Sequence, residues 1–384
     1  MINQRECHIN VYAYVIGFLI FSIIPAFYVW NSVFHPLFTG MAGLLALLDI
    51  VKTHQKKWGI GSYFFLFITF IYVIISKKNF LGSLQVLSIV PFAFVRKEFI
   101  LQVYQAFRKI FALFMIIAIP SYFMVVWIGV NLPGIEIETL NTLKLGSYTF
   151  HPFVLVYTEV ITSPRFIGFF DEAGVVGTLS AIFLIMENFN LKNKLNIVIL
   201  LAGVLSMSLF FFFIIGAYLV YTGSNRTRII AVVIVLLLLV LFYDNEIIYD
   251  TLFKRLTFED GGIVGMNREH GDFTSFYEKF RHTPEYWTGL GAGSGAKLNE
   301  GGSSYKQMIV NYGVIYFVLY MLSYYLLAIR NIKSLKAVVV YSLILLGTMF
   351  QRPFAEEPAT IFLMITAGII IPKTYYINKN NIYE

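Results

Sequence analysis

Residues 195–222 read LNIVILLAGVLSMSLFFFFIIGAYLVYT, an apolar run long enough to cross a bilayer, and this run decides the class of fold. Hydrophobic residues make up 58% of the 384 positions and charged residues only 13%, which excludes a soluble domain. Other apolar runs lie at about 11–31, 36–51, 60–76, 80–95, 110–130, 172–188, 229–243, 308–329, 336–350 and 357–371. The sequence therefore predicts an all-α polytopic membrane protein that forms a single integral domain over residues 1–384.

Basic residues in the links between these runs set the expected orientation. The short outer links contain only Lys77, Lys78 and Arg352. The links on the other side contain Lys52, Lys56, Lys57, Arg96, Lys97, Arg108, Lys109, Lys192, Lys194, Arg226, Arg228, Arg330, Lys333, Lys336, Lys373 and Lys379. Because Lys and Arg accumulate on the cytoplasmic side of membrane proteins, we expect both termini there. The net charge of +7 follows from this bias, so we do not expect nucleic-acid binding.

The run at 195–222 has basic residues at both ends, so both ends should be cytoplasmic, which a single crossing cannot achieve. It must cross twice or re-enter, with a break near Ser206-Met207-Ser208. Each half would then be roughly 20 Å of helix, shorter than the ~30 Å hydrocarbon core. Such short helices are tolerated where they line a protein cavity. We therefore expect eleven or twelve spans, some of them short or broken.

This topology places two polar segments, 131–171 and 244–307, together on the outer face, where we expect an active site. In the larger segment, Phe273, Phe276, Tyr277 and Phe280 recur at helical spacing behind Asp272, which predicts a short amphipathic helix on the membrane or on the bundle. On the cytoplasmic side a similar spacing predicts an interfacial helix before the fifth span, carrying Ile100, Val103, Tyr104, Phe107 and Phe111.

Arginines on the outer face are suited to a lipid-linked phosphate or pyrophosphate, because a guanidinium fork keeps its charge. Arg165 lies beside Asp171 and Glu172, and Arg268 lies in an Asn267-Arg268-Glu269-His270 sequence. Arg352 lies at the tip of the last outer link. The alternatives are lipid-headgroup contacts or carboxylate pairing, with Glu356 and Glu357 for Arg352, and helix capping for Asp171 and Glu172.

Other chemistries are disfavoured by the sequence. The single cysteine, Cys7, excludes an internal disulfide, and no spacing resembles a metal site. The glycine-rich residues 289–295 lack the Lys-Ser/Thr ending of a nucleotide-binding loop, so we interpret them as a flexible turn. The alternative is contact of their N–H groups with phosphate. Charged residues are nearly absent from the middle of the spans, which argues against an ion-coupled transporter.

Several short segments, in this order, resemble the bacterial O-antigen and capsule polymerases of the Wzy type. They are RFIGFFDE (165–172), LSMSLFFF (205–212), NR (267–268) with GLGAG (289–293), and Tyr305 through NYG (311–313). The related O-antigen ligases carry a His-Asn pair before the span that follows the large loop. Here residues 301–305 read GGSSY without a histidine, which favours a polymerase and leaves the base unassigned.

The resemblance implies a metal-independent, inverting glycosyl transfer without a cofactor on the periplasmic or extracellular face of a bacterial inner (plasma) membrane. The donor would be a growing glycan on undecaprenyl pyrophosphate, and the acceptor a single lipid-linked repeat unit. Arg165 and Arg268 would bind the pyrophosphate, and Glu172 or His270 would orient the acceptor hydroxyl. Further substrate contacts are expected from Arg352, Arg281, Asp171, Asn267 and Tyr305. Membrane lipids, a chain-length regulator and a flippase are the expected partners. The alternatives are a ligase that moves the glycan to lipid A core or another acceptor, and a non-enzymatic flippase or transporter of lipid-linked oligosaccharide.

Overall fold

A computed structural model describes residues 11–24, 34–54, 58–77, 80–138, 147–151, 156–159, 165–170, 172–224, 258–259, 262–263, 271–294, 304–332, 334–351 and 356–380. Its helices are α1 Val11–Ser22, α2 Phe34–Thr53, α3 Ile60–Ser76, α4 Phe80–Leu87, α5 Lys97–Tyr122, α6 Ala173–Met186, α7 Lys194–Leu205, α8 Leu209–Thr222, α9 Gly271–Phe280, α10 Glu285–Thr288, α11 Ser304–Ile329, α12 Leu335–Gln351 and α13 Pro358–Asn380. A 3₁₀ turn at Val90–Ala93 follows α4, and a π-helical turn at Phe123–Trp127 ends α5.

The predicted helical architecture with apolar helices is confirmed in its coarse form. Within the described ranges, Phe34–Thr53, Lys97–Trp127 and Tyr305–Ile329 are long and apolar enough to cross a membrane. Shorter apolar helices account for most of the remaining predicted runs, and α3 coincides with the run at 60–76. The run at 229–243 lies outside the described residues, and eleven or twelve spans are not established by these helices.

A few contacts join links that the charge pattern assigns to the same side of the membrane. Arg96 pairs with Asp49 at 2.9 Å, and the Lys336 ammonium donates to the carbonyl of Thr222 at 3.4 Å. At the end predicted to face outward, the Tyr72 hydroxyl donates to the Glu356 carboxylate. Each of these contacts joins residues that the charge pattern assigns to the same side.

The helix α6 lies at the centre of the bundle, and all fourteen of its residues are buried. It contacts α7, α8 and α13. Its C-terminal end is held by a buried ion pair in which Arg108 of α5 lies 2.7 Å from Glu187. Arg108 also donates to Asn196 of α7 at 2.8 Å, so one guanidinium links three helices.

The predicted interfacial helix before the fifth span is wrong. Residues 97–122 form one continuous helix, α5, and Ile100, Val103, Tyr104, Phe107 and Phe111 are each at most 2% exposed. These side chains pack in the core of the bundle. The charged residues Arg108 and Lys109 ended the apparent apolar run, but the helix continues through them because Glu187 pairs with Arg108.

Short strands, which the apolar pattern did not indicate, form in the outer segments. β1 Ile135–Glu138, β2 Ser147–His151 and β3 Val156–Glu159 form an antiparallel sheet, with Ile135 opposite Phe150 and Tyr148 opposite Glu159. β4 Phe258–Glu259 and β5 Gly262–Ile263 pair in the larger segment. The all-α prediction therefore holds for the bundle, and the strands belong to the segments between its helices.

Candidate functional site

The predicted break in residues 195–222 is confirmed, and it is where Arg165 lies. α7 ends at Leu205 and α8 begins at Leu209, with Met207 in the left-handed region at φ +46°. The Phe166 amide donates to the Leu205 carbonyl at 3.0 Å, and Arg165 Nε donates to the Ser206 carbonyl at 3.2 Å. The final carbonyls of a helix have no partner within it, so residues 165 and 166 supply the missing donors for α7.

Three phenylalanines hold this segment in the bundle. Phe166, Phe169 and Phe170 are at most 1% exposed, and the ring centroids of Phe169 and Phe170 lie 4.5 Å apart. Gly168 turns the chain between them at φ +59°. An apolar side chain of this size stabilises the fold by roughly 1.5–3 kcal/mol when buried. The aromatic residues therefore fix the backbone that carries Arg165, whose own side chain is half-buried.

Two helices begin beside the turn between α7 and α8. Glu172 is the N-cap residue of α6 and Ser208 that of α8, and neither makes a side-chain capping hydrogen bond. Gly177 of α6 packs on this turn so closely that an added Cβ would lie 2.4 Å from Ser208 Cβ. Each helix start carries a partial positive charge, so α6 and α8 add to the charge of the Arg165 guanidinium, while the end of α7 and the Glu172 carboxylate contribute negative charge.

This region lies at membrane depth if the bundle spans a bilayer. α7 has 12 residues and α8 has 14, which correspond to about 18 Å and about 21 Å of helix. A hydrocarbon core is about 30 Å thick. The turn at 206–208 would therefore stop short of the far boundary, and the segment carrying Arg165 descends to meet it.

The predicted amphipathic helix in the larger outer segment is confirmed as α9, which begins at Gly271 and packs on the bundle. Phe273, Tyr277 and Phe280 are 1%, 7% and 3% exposed and contact Ile309 and Val310 of α11. Burial raises the pKa of the Tyr277 phenol, which therefore stays protonated at neutral pH. The segment is thus attached to the start of α11 by an apolar contact.

The glycine-rich residues after α10 are a structural contact with α11, which differs from the predicted flexible turn. α11 is kinked at Gly313, where φ is +83° and ψ is 162°. This kink interrupts the helical hydrogen bonds, and the Leu290 and Gly291 amides instead donate to the carbonyls of Val310 and Asn311 at 2.8 and 3.0 Å. Two of the amides that were considered for phosphate contact are therefore used within the fold.

Two predicted substrate-binding residues lie near α9 and the start of α11. Arg281 is exposed and pairs with Glu278 at 2.9 Å, one turn earlier in the chain. Tyr305 is half-buried, and its ring centroid lies 4.5 Å from that of Phe350 in α12. Exposed pairs of this kind contribute little to stability, so Arg281 can exchange Glu278 for another anion at small cost.

A tyrosine cluster around Glu356 was missed by the sequence analysis, which treated Glu356 only as a partner for Arg352. Its carboxylate accepts from the Tyr72 hydroxyl, and both residues line a small cavity with Tyr316 and Tyr320. The Tyr316 hydroxyl is buried without a hydrogen-bond partner among the described residues. The signal was present, because tyrosines recur every fourth residue at 312, 316, 320 and 324.

The other predicted site residues lie outside the described residues, so their relation to Arg165 stays a prediction. They are Arg268, His270, Asn267, Asp171 and Arg352. No cluster of metal-ligating side chains occurs among the residues that were described. Comparison with models of protein families, with curated proteins and with solved structures gave no match for this chain.

Proposed function

We propose that this protein is a polymerase that joins lipid-linked oligosaccharide repeat units on the outer face of a bacterial plasma membrane. In this proposal the chain crosses the membrane about twelve times with both termini in the cytoplasm. The donor is a glycan on undecaprenyl pyrophosphate and the acceptor is a single lipid-linked repeat unit. The observation that supports it is the guanidinium of Arg165, positioned at the break between two short helices and beside two helix starts.

An ionisable group at membrane depth is expensive and therefore indicates a function. The anion that Arg165 would bind is attached to a lipid. The backbone of Arg165 is fixed by the buried phenylalanines beside it before any substrate arrives. A leaving pyrophosphate gains negative charge as the glycosidic bond breaks. A preorganised cation and two helix starts stabilise that charge at little reorganisation cost, which is the usual source of electrostatic catalysis.

The remaining groups complete the proposed reaction. Arg268 is the second phosphate ligand and Arg352 the third, while Glu172 or His270 takes the proton from the acceptor hydroxyl. Inversion at the anomeric carbon follows from direct attack by that hydroxyl opposite the leaving pyrophosphate. Tyr305 and Arg281 lie on the large outer segment, where they would contact the sugars.

Binding of undecaprenyl pyrophosphate to purified protein tests the role of Arg165 without knowledge of the sugars. We expect Arg165→Ala to weaken binding roughly 10-fold to 100-fold, since hydrogen bonds to charged groups contribute about 1.5–3 kcal/mol. Arg165→Lys should restore part of the affinity, because the charge remains while the fork is lost. Arg96→Gln is the matched control, an exposed arginine at the opposite end of the bundle.

A structural role for Arg165 gives a different result. If Arg165 only caps α7, its alanine variant loses thermal stability while the affinity for undecaprenyl pyrophosphate stays at the wild-type value. That outcome would reject the phosphate assignment.

The reaction itself is tested with lipid-linked oligosaccharides extracted from the native cells. A ladder of lengthened lipid-linked products supports a polymerase. Transfer of intact chains to lipid A core identifies a ligase instead, and movement of unchanged lipid across a vesicle membrane identifies a flippase.

A further inference from the structure

A cavity lies at the end of the bundle opposite Arg165, between α3, α5, α11 and α13. Its volume is about 170 Å³, and its lining includes Trp58, Lys97, Ile100, Leu327, Arg330 and Ile365. An engineered cavity of about 150 Å³ admits a molecule the size of benzene. The space is therefore sufficient for a small charged headgroup.

One side of this cavity is cationic. Arg330 and Lys97 both line it, and none of its described lining residues is Asp or Glu. Lys97 donates to the Asn331 side chain, while Arg330 makes no ion pair among the described residues. The Arg330 side chain lies across Gly59, where an added Cβ would be 2.7 Å from both Arg330 Cδ and Arg330 Nη1. The glycine therefore leaves room for the guanidinium at the cavity.

Further donors lie beside these cations. The indole Nε1 of Trp58 is buried and has no hydrogen-bond partner in this part of the structure. The 17-residue helix α3 begins at the cavity with Gly59 as its N-cap residue, so no side chain caps its first amides. A buried donor without a partner costs free energy, which a bound anion would recover.

The rest of the lining is mainly apolar and includes Phe92, Ile100, Leu327, Ile365 and Ile369. A phospholipid presents a phosphate next to hydrocarbon, which matches a lining made of cations and apolar side chains. The charge pattern also places this end of the bundle at the cytoplasmic leaflet, which is rich in anionic lipid.

We propose that this cavity is a binding site for a phosphate group, supplied by the headgroup of an anionic phospholipid from the cytoplasmic leaflet. Arg330 and Lys97 hold the phosphate oxygens, with the Trp58 N–H and the start of α3 as additional donors. The acyl chains lie along the apolar part of the lining between α3, α11 and α13. This site is separate from Arg165, so its failure would leave the proposed polymerase activity unaffected.

Titration of the full-length protein with phosphatidylglycerol, followed by native mass spectrometry, tests the site. We expect Arg330→Gln to raise the dissociation constant roughly tenfold or more, as loss of a charge-assisted phosphate contact predicts. Trp58→Phe keeps the ring and removes the N–H, and it should weaken binding less. Arg96→Gln removes an exposed arginine at the same end that does not line the cavity, so its affinity should change less than twofold.

Gly59→Ala is a second variant for the case that Arg330→Gln fails to fold. It keeps every charge and displaces only the Arg330 side chain. We expect it to weaken phosphatidylglycerol binding while the melting temperature in neutral lipid stays within a few degrees of wild type. Inorganic phosphate at millimolar concentration distinguishes the two phosphate sources. If inorganic phosphate competes for the site as strongly as phosphatidylglycerol does, the site is supported, but its ligand is a soluble phosphate. Equal weakening by Arg330→Gln and Arg96→Gln, or unchanged binding in both, would overturn the proposal.

Discussion

The buried pair of Arg108 and Glu187 allows a quantitative prediction about what holds α5, α6 and α7 together. At 2.7 Å and an effective dielectric constant of about 20, two unit charges attract by about 6 kcal/mol. Removal of both ions from water costs several kcal/mol each, so the pair contributes little net stability. Removal of one partner alone is different, because it leaves a buried charge without compensation.

The two single variants should therefore differ. The Arg108 side chain is 7% exposed and that of Glu187 is 23% exposed. Glu187→Gln leaves a guanidinium that water barely reaches, and we expect a loss of about 3–4 kcal/mol in unfolding free energy. Arg108→Met leaves a carboxylate that water reaches more easily, and we expect about 2 kcal/mol. In the double variant only the Asn196 oxygen loses its donor, so the loss should fall to about 1 kcal/mol.

Unfolding of the purified protein in mixed micelles, at increasing mole fraction of sodium dodecyl sulfate, measures these free energies. The coupling energy from the four proteins should be about 4 kcal/mol, with the double variant more stable than either single variant. The reasoning would be refuted if the losses in unfolding free energy of the two single variants added up in the double variant. It would also be refuted if both single variants unfolded within about 0.5 kcal/mol of wild type, the usual range of neutral substitutions.

Three glycines give further predictions, each checked by thermal unfolding. Gly313→Ala adds a Cβ that would lie 2.2 Å from the Trp287 carbonyl in a backbone conformation reserved for glycine, so we expect a loss of about 2–4 kcal/mol and detachment of the segment after α10. Gly177→Val should cost about 1–3 kcal/mol by separating α6 from the turn beside Arg165. Gly216→Ala in α8 meets open space, so we expect it to be neutral or stabilising by up to about 1 kcal/mol, and a loss there would contradict the packing.

The positions of most helices could be predicted from the sequence because hydrocarbon selects for uninterrupted apolar residues. The break at Ser206-Met207-Ser208 was also predictable, since it followed from the basic residues at both ends of the run. The continuation of α5 through Arg108 was not predictable in this way. The continuation of the helix depends on the pairing of Arg108 with Glu187, which is distant in the chain, and no local sequence pattern predicts that pair.

In the candidate site, too, contacts between residues distant in the chain could not be predicted. The sequence predicted that Arg165 lies on the outer face but could not show that it bonds to the Ser206 carbonyl, because 41 residues separate the two. The contact of Tyr72 with Glu356 joins residues 284 positions apart. The local sequence predicts which residues form a span and on which side of the membrane a link lies. The partners of a buried polar group depend on packing between distant parts of the chain.

The outer segments complete the hydrogen bonding of the bundle, and this constrains how any site there works. At the end of α7 the carbonyls of residues 205 and 206 are satisfied by Phe166 and Arg165, and at the kink of α11 the carbonyls of residues 310 and 311 are satisfied by Leu290 and Gly291. Unsatisfied backbone groups are costly at membrane depth, so these contacts persist while the bundle is folded. Residues 165–166 and 290–291 are therefore fixed relative to the helices before substrate binds. A site built on them is preorganised, as electrostatic stabilisation of a leaving phosphate requires.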